Sequence, residues 1–117
     1  GAIHALSHPL GAMYHTHHGT TNAVCMAAVL RFNRPVVEGL IERATAYLNI
    51  DGGFEGFAAF VDQLNTSLGI PRNLSELGVN SPDLEALTRA ALTDPCVGGN
   101  PVAMTPENTR QLFEALI

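Results

Sequence analysis

No segment of this 117-residue chain alternates apolar and polar residues with period two, while apolar residues recur at three- and four-residue spacing along most of it. The pattern predicts an all-α, bundle-like domain of five to six helices. Residues 1–13 predict a mostly buried helix, with a break or kink expected at Pro9. A second helix is expected from Thr20 or Thr21 through Val24, Cys25, Ala28, Val29 and Leu30 to Asn33. Asn33-Arg34-Pro35 closes it, and Pro35 suits the first position of a third helix, about 35–48, with Val36, Leu40, Ile41, Ala44 and Leu48 on one face. Phe54, Phe57, Val61, Leu64 and Leu68 trace a fourth, ended by Gly69 and Pro71. Ser75 to Gly78 predicts a short helical turn. Ser81-Pro82-Asp83 and Thr105-Pro106-Glu107 read as helix starts, with Ser81 and Thr105 as N-caps and proline next. Residues 93–103 between them form a Gly/Pro-rich loop.

Composition narrows the class. A content of 46% hydrophobic and 15% charged residues is that of a globular chain whose charge-poor surface is partly covered by a partner or another domain. Six Lys+Arg against eleven Asp+Glu, a net charge of −5, argue against nucleic acid, whose phosphates need a basic patch. No apolar run reaches the length of a membrane span, and no leader peptide is visible. Two cysteines, Cys25 and Cys96, make no disulfide framework, and a reducing cytoplasm is the expected compartment. Cys25 falls on an apolar helix face and is expected in the core. Cys96 is expected to be structural rather than nucleophilic.

All five histidines lie in the first 18 residues. Imidazole is the commonest metal-binding side chain and the commonest acid/base near neutral pH. His4 and His8 are four apart and share one helix face, with Cβ atoms about 5–6 Å apart. His18 opens the next helix from a turn that can fold back beside them. His15 and His17 are expected to be solvated neighbours. Ala5-Leu6 replaces the Glu of the zinc-protease motif H-E-x-x-H, so that chemistry is not indicated. No carboxylate lies within residues 1–18, and the nearest in sequence is Glu38. Three histidines are a thin shell for a divalent ion, so further ligands are expected from chain preceding Gly1.

Gly1-x-x-His4-x3-His8-Pro9-Leu10-Gly11-Ala12-x-Tyr14-x-Thr16-x-His18-Gly19-x-x-Asn22-Ala23 resembles the second signature of the iron-containing (group III) alcohol dehydrogenases. Val29-Leu30-Arg31-Phe32-Asn33 resembles its continuation, and Asp94-Pro95-Cys96-x-Gly98-Gly99-Asn100-Pro101 a late loop of the same family. The chain departs from many members at Ala27-Ala28 and Val102. The resemblance implies a single C-terminal, all-helical, metal-binding domain over 1–117, which in the family packs on an N-terminal α/β domain that binds NAD or NADP. It further implies Fe²⁺, alternatively Zn²⁺, held by an Asp and three His. Two of those ligands align with His4 and His18, and the others lie upstream of Gly1. His8 aligns with a histidine near nicotinamide and substrate that is a proposed acid/base.

The expected activity is interconversion of alcohols with aldehydes or ketones, in a protein expected to be homo-oligomeric. The 117 residues alone are not expected to catalyse it. A second reading is a stand-alone helical binding or oligomerisation module derived from such a domain. A third is a metal-storing or metal-sensing fragment.

Overall fold

The computed structural model describes all 117 residues and contains five α-helices and no strand. They are α1 (Ala2–Tyr14), α2 (His18–Leu48), α3 (Gly53–Ser67), α4 (Leu84–Thr93) and α5 (Pro106–Glu114), with one 3₁₀ turn at Val97–Gly99 between the last two. The all-α expectation holds, as does the helix count.

Helix α1 explains how the fold presents its histidines. Ala2, Leu6 and Leu10 repeat every four residues and are buried, Leu6 and Leu10 completely. They join Val24, Cys25 and Val29 of α2, Leu87 and Ala91 of α4 and Leu112 and Phe113 of α5 in one core of 13 buried residues. His4 and His8, offset by two positions from that stripe, are left exposed. Core packing therefore sets which way the histidine face points.

Both prolines expected to interrupt a helix lie inside one. Pro9 sits within α1, and Pro35 within the 31-residue α2, which replaces the second and third helices expected from sequence. Neither proline can donate to the carbonyl four residues back, a loss that usually ends a helix. Tertiary contacts offset it in α2. Arg34 bonds Glu38 one turn on and Glu55 of α3, and its guanidinium lies 4.6 Å from the Phe54 ring centroid. Phe54, Ala58 and Val61 are buried in the resulting α2–α3 hairpin. A Cβ on Gly56 would overlap the Asp51 carbonyl, so the hairpin turn requires glycine there.

Two other helix starts differ from expectation. Helix α2 begins at His18, because the His17 side chain caps it by accepting the Thr20 N–H. Helix α4 is capped by Asp83, not Ser81: Asp83 accepts the Ala86 N–H at 3.0 Å, and its own N–H donates to the Tyr14 hydroxyl. Thr105 caps α5 as expected, in a reciprocal box with Asn108. The turn at 75–78 is present, closed by Gly78 N–H to the Ser75 carbonyl.

Candidate metal centre

Three of the five histidines converge. His4 and His8 come from successive turns of α1, and His18 from the first residue of α2. Their ring centroids are 5.5 Å (His4–His8), 5.3 Å (His4–His18) and 5.5 Å (His8–His18) apart. The tight connection between α1 and α2 makes this possible. His15 ends α1 in the left-handed region, at φ 56°, and reverses the chain. His17 caps α2. The two histidines expected to be solvated neighbours thus build the turn that brings His18 back to His4.

The three rings border one small space, although their donor nitrogens are not gathered as closely as the donor atoms of His8, Asp94 and Cys96. Imidazole suits both iron and zinc. Asn22, one turn after His18, has its Nδ2 3.1 Å from His18 Nε2, while its buried Oδ1 has no hydrogen-bond partner. Chain residues alone leave that amide half satisfied.

Folding also supplies a carboxylate that proximity in sequence does not. Asp94, from the loop after α4, lies against His8, with Oδ2 2.7 Å from Nδ1. The His8 side chain is 41% exposed and that of Asp94 11%. An ionised carboxylate can only accept, so the neutral His8 ring carries its hydrogen on Nδ1 and its lone pair on Nε2. Burial pushes the Asp94 pKa up, but the Cys96 backbone N–H at 2.8 Å, the His8 ring and the Cys96 thiol outweigh it, and the carboxyl is held below its ordinary range. The Cys96 thiol, hydrogen-bonded to Asp94 and partly desolvated, is pushed up and stays protonated at neutral pH. Donor atoms of His8, Asp94 and Cys96 all lie within 4.8 Å of one another. The 2.7 Å pair among them is a hydrogen bond, closer than the roughly 3.4 Å between two donors on one tetrahedral zinc.

Asp94 was visible in the sequence only as part of the late-loop motif, with no role attached. Cys25 is fully buried, as expected, and desolvation pushes its pKa up to about 12.

The chain is all-helical and gathers three imidazoles on its surface, one of them hydrogen-bonded to a carboxylate. The sequence model of the "Fe-containing alcohol dehydrogenase family, C-terminal" matches residues 1–117. The chain belongs to that family, as its C-terminal domain. It is 33% identical over 120 residues to the lactaldehyde reductase of Escherichia coli (strain K12), covering 97% of this chain and 31% of that protein. It is 36% identical over 110 residues to alcohol dehydrogenase 4 of Saccharomyces cerevisiae (strain ATCC 204508 / S288c), covering 92% and 29%. The solved structure of a 1,3-propanediol oxidoreductase superposes with a TM-score of 0.91 at 28% identity, covering all of this chain and 32% of that one. The chain thus spans about a third of the length of the relatives it matches. No helix is long and apolar enough to cross a membrane.

Proposed function

We infer that these 117 residues are the metal-binding part of an NAD- or NADP-dependent alcohol dehydrogenase. The reaction is alcohol plus NAD(P)⁺ to aldehyde or ketone plus NAD(P)H and a proton, or its reverse. The observation that carries this reading is the convergence of His4, His8 and His18 within 5.5 Å of one another, on a chain of this family. His4 and His18 would hold the metal, Fe²⁺ or Zn²⁺, together with ligands from outside this chain. When bound, the metal supplies Lewis acidity at the alcohol or carbonyl oxygen. Its exposed histidine face would meet a nucleotide-binding domain outside residues 1–117, which would also hold the nicotinamide. Without that domain the chain binds metal weakly and does not transfer hydride.

His8 handles the proton in this reading. Its Nε2 would take the hydroxyl proton of the alcohol in oxidation and return it in reduction, while a bound nicotinamide would accept or supply the hydride. Asp94 holds the ring by Nδ1 and stabilises the imidazolium that forms.

The test is alcohol oxidation with NAD⁺ and NADP⁺ by the longer polypeptide that contains this sequence, with and without added Fe²⁺. Metal-dependent turnover that His4→Ala abolishes is expected. Activity independent of metal, or indifferent to His4→Ala, would overturn the reading.

A second reading, an oligomerisation module without catalysis, draws on a different surface. Val36 and Leu40 of α2 and Leu64 of α3 are between 44% and 58% exposed, and Leu68, just past α3, is 66% exposed. Scattered exposed aliphatics are ordinary; several along one hairpin favour an interface. This surface is also compatible with the first reading, as the contact of a homo-oligomer.

A further inference from the structure

Asn33 and Asn100 face each other through a reciprocal pair of amide hydrogen bonds, and the proposed reaction uses neither. Asn33 Nδ2 donates to Asn100 Oδ1 at 3.0 Å, and Asn100 Nδ2 donates to Asn33 Oδ1 at 2.8 Å. The remaining capacity of Asn100 is also taken. Its Oδ1 accepts the Ala2 N–H at 3.0 Å, and its Nδ2 donates to the Val102 carbonyl at 2.8 Å. An amide with two lone pairs and two hydrogens is thereby fully satisfied. Asn33, only 8% exposed, has a second, longer contact from the Val102 N–H. A carboxylate at either position would lack the donors.

The pair joins three parts of the chain: the first turn of α1, the middle of α2 and the end of the loop after α4. From Asn100 back to Asp94 the loop is stiff. Asn100 N–H bonds the Val97 carbonyl, Gly99 N–H the Cys96 carbonyl, and Val97 N–H the Asp94 carbonyl. Asp94 therefore sits two short turns from the anchor. On the other side, Ala2 and His8 lie six residues apart on one helix, about 9 Å along its axis. The loop approaches α1 closely. A Cβ on Gly1 would lie 3.3 Å from Asn100 Oδ1, tighter than ordinary contact. Helix α4 fixes the other end of the loop, through Asp94 N–H to the Ala91 carbonyl. At the far end, Asn100 Oδ1 accepts the Ala2 N–H of α1, and Asn33 of α2 orients that same amide.

We propose that Asn33 and Asn100 are positioning residues: their amide pair sets the register of Asp94 against His8, and so keeps the His8 hydrogen on Nδ1 and its Nε2 free. The idea rests on the reading of His8 as the proton carrier. Breaking the pair loosens the loop, the 2.7 Å bond from His8 to Asp94 lengthens, and the ring reverts to the tautomer set by water.

The experiment is long-range ¹H–¹⁵N correlation of the histidine rings in the metal-free longer polypeptide that contains this chain, at alkaline pH where imidazole is neutral. In the unaltered chain His8 is expected as the Nδ1–H tautomer. Asn100→Ala and Asn33→Ser, with helical circular dichroism retained, are expected to lose that tautomer. Thr105→Ala, which removes the α5 cap and lowers stability elsewhere, is expected to keep it. If Asn100→Ala does not fold, Asn33→Ser decides: it removes both inter-amide bonds that orient the Asn100 side chain while leaving Asn100 itself present to support folding. Persistence of the Nδ1–H tautomer in the folded asparagine variants would overturn the proposal and leave the pair a purely structural tie. An Nε2–H tautomer in the unaltered chain is a different failure: it removes the role assigned to His8 itself.

Discussion

His8 and Asp94 are 86 residues apart in sequence, yet the His8 ring nitrogen meets the Asp94 carboxylate at 2.7 Å. That bond decides which nitrogen of His8 is free. It also gives the site the carboxylate that residues 1–18 lack.

Asp94→Asn keeps the shape of the side chain and removes its charge. An amide can present its NH₂ to His8 Nδ1 and so favour the wrong tautomer. In the longer polypeptide, kcat/KM for alcohol oxidation is expected to fall about 10- to 100-fold, the usual cost of losing a partner that orients a site histidine. Bound metal should be unchanged, because Asp94 touches neither His4 nor His18. Unaltered kcat/KM would show that the pair has no part in the reaction.

The two thiols should behave differently. Cys25 is fully buried, with its pKa pushed up to about 12, and should resist iodoacetamide in the native chain at mildly alkaline pH. Cys96, half-buried beside Asp94, should label slowly. Mass spectrometry is expected to show one adduct in native protein and two in denaturant. Asp94→Asn should speed labelling of Cys96, because the carboxylate that holds its thiol protonated is gone. Two adducts at equal rates in the native state would contradict the packing of α2.

Acid should loosen the same loop. The folded-state pKa of Asp94 lies below its unfolded value of about 4. A depressed carboxyl contributes stability that is fully present above the unfolded value and is lost as pH falls through the folded one. Urea midpoints are expected to decline from about pH 5 downward, and less steeply in Asp94→Asn. Identical slopes in the two proteins would remove Asp94 from the account.

The hairpin of α2 and α3 carries the apolar surface, with Leu40 58% and Leu68 66% exposed. Sedimentation of the chain is expected to show concentration-dependent association, weakened by Leu40→Lys with Leu64→Lys. A clean monomer at high concentration would contradict this.

What was legible in the sequence was local. The four-residue spacing of His4 and His8 and the Thr105-Pro106 helix start depend only on neighbours, and the structure keeps both. Structure departs from local pattern where distant residues intervene. Ser81 was expected to cap α4, but the Tyr14 hydroxyl takes the Asp83 N–H, and Asp83 caps instead. Pro35 was expected to start a helix, but Arg34 reaches Glu38, Glu55 and the Phe54 ring, and α2 continues. Local sequence makes Asn33 part of a helix end, but its side chain pairs with Asn100, 67 residues away. The Asp94 partner of His8 is hidden for the same reason.

The most direct test of the central claim is the metal content of the longer polypeptide, measured beside its activity, in three variants. His4→Ala and His18→Ala are each expected to lose the bound metal and the activity together. His8→Ala is expected to keep the metal and lose most of the activity. Full metal occupancy in His4→Ala or His18→Ala, or its loss in His8→Ala, would contradict the assignment of ligands and proton carrier.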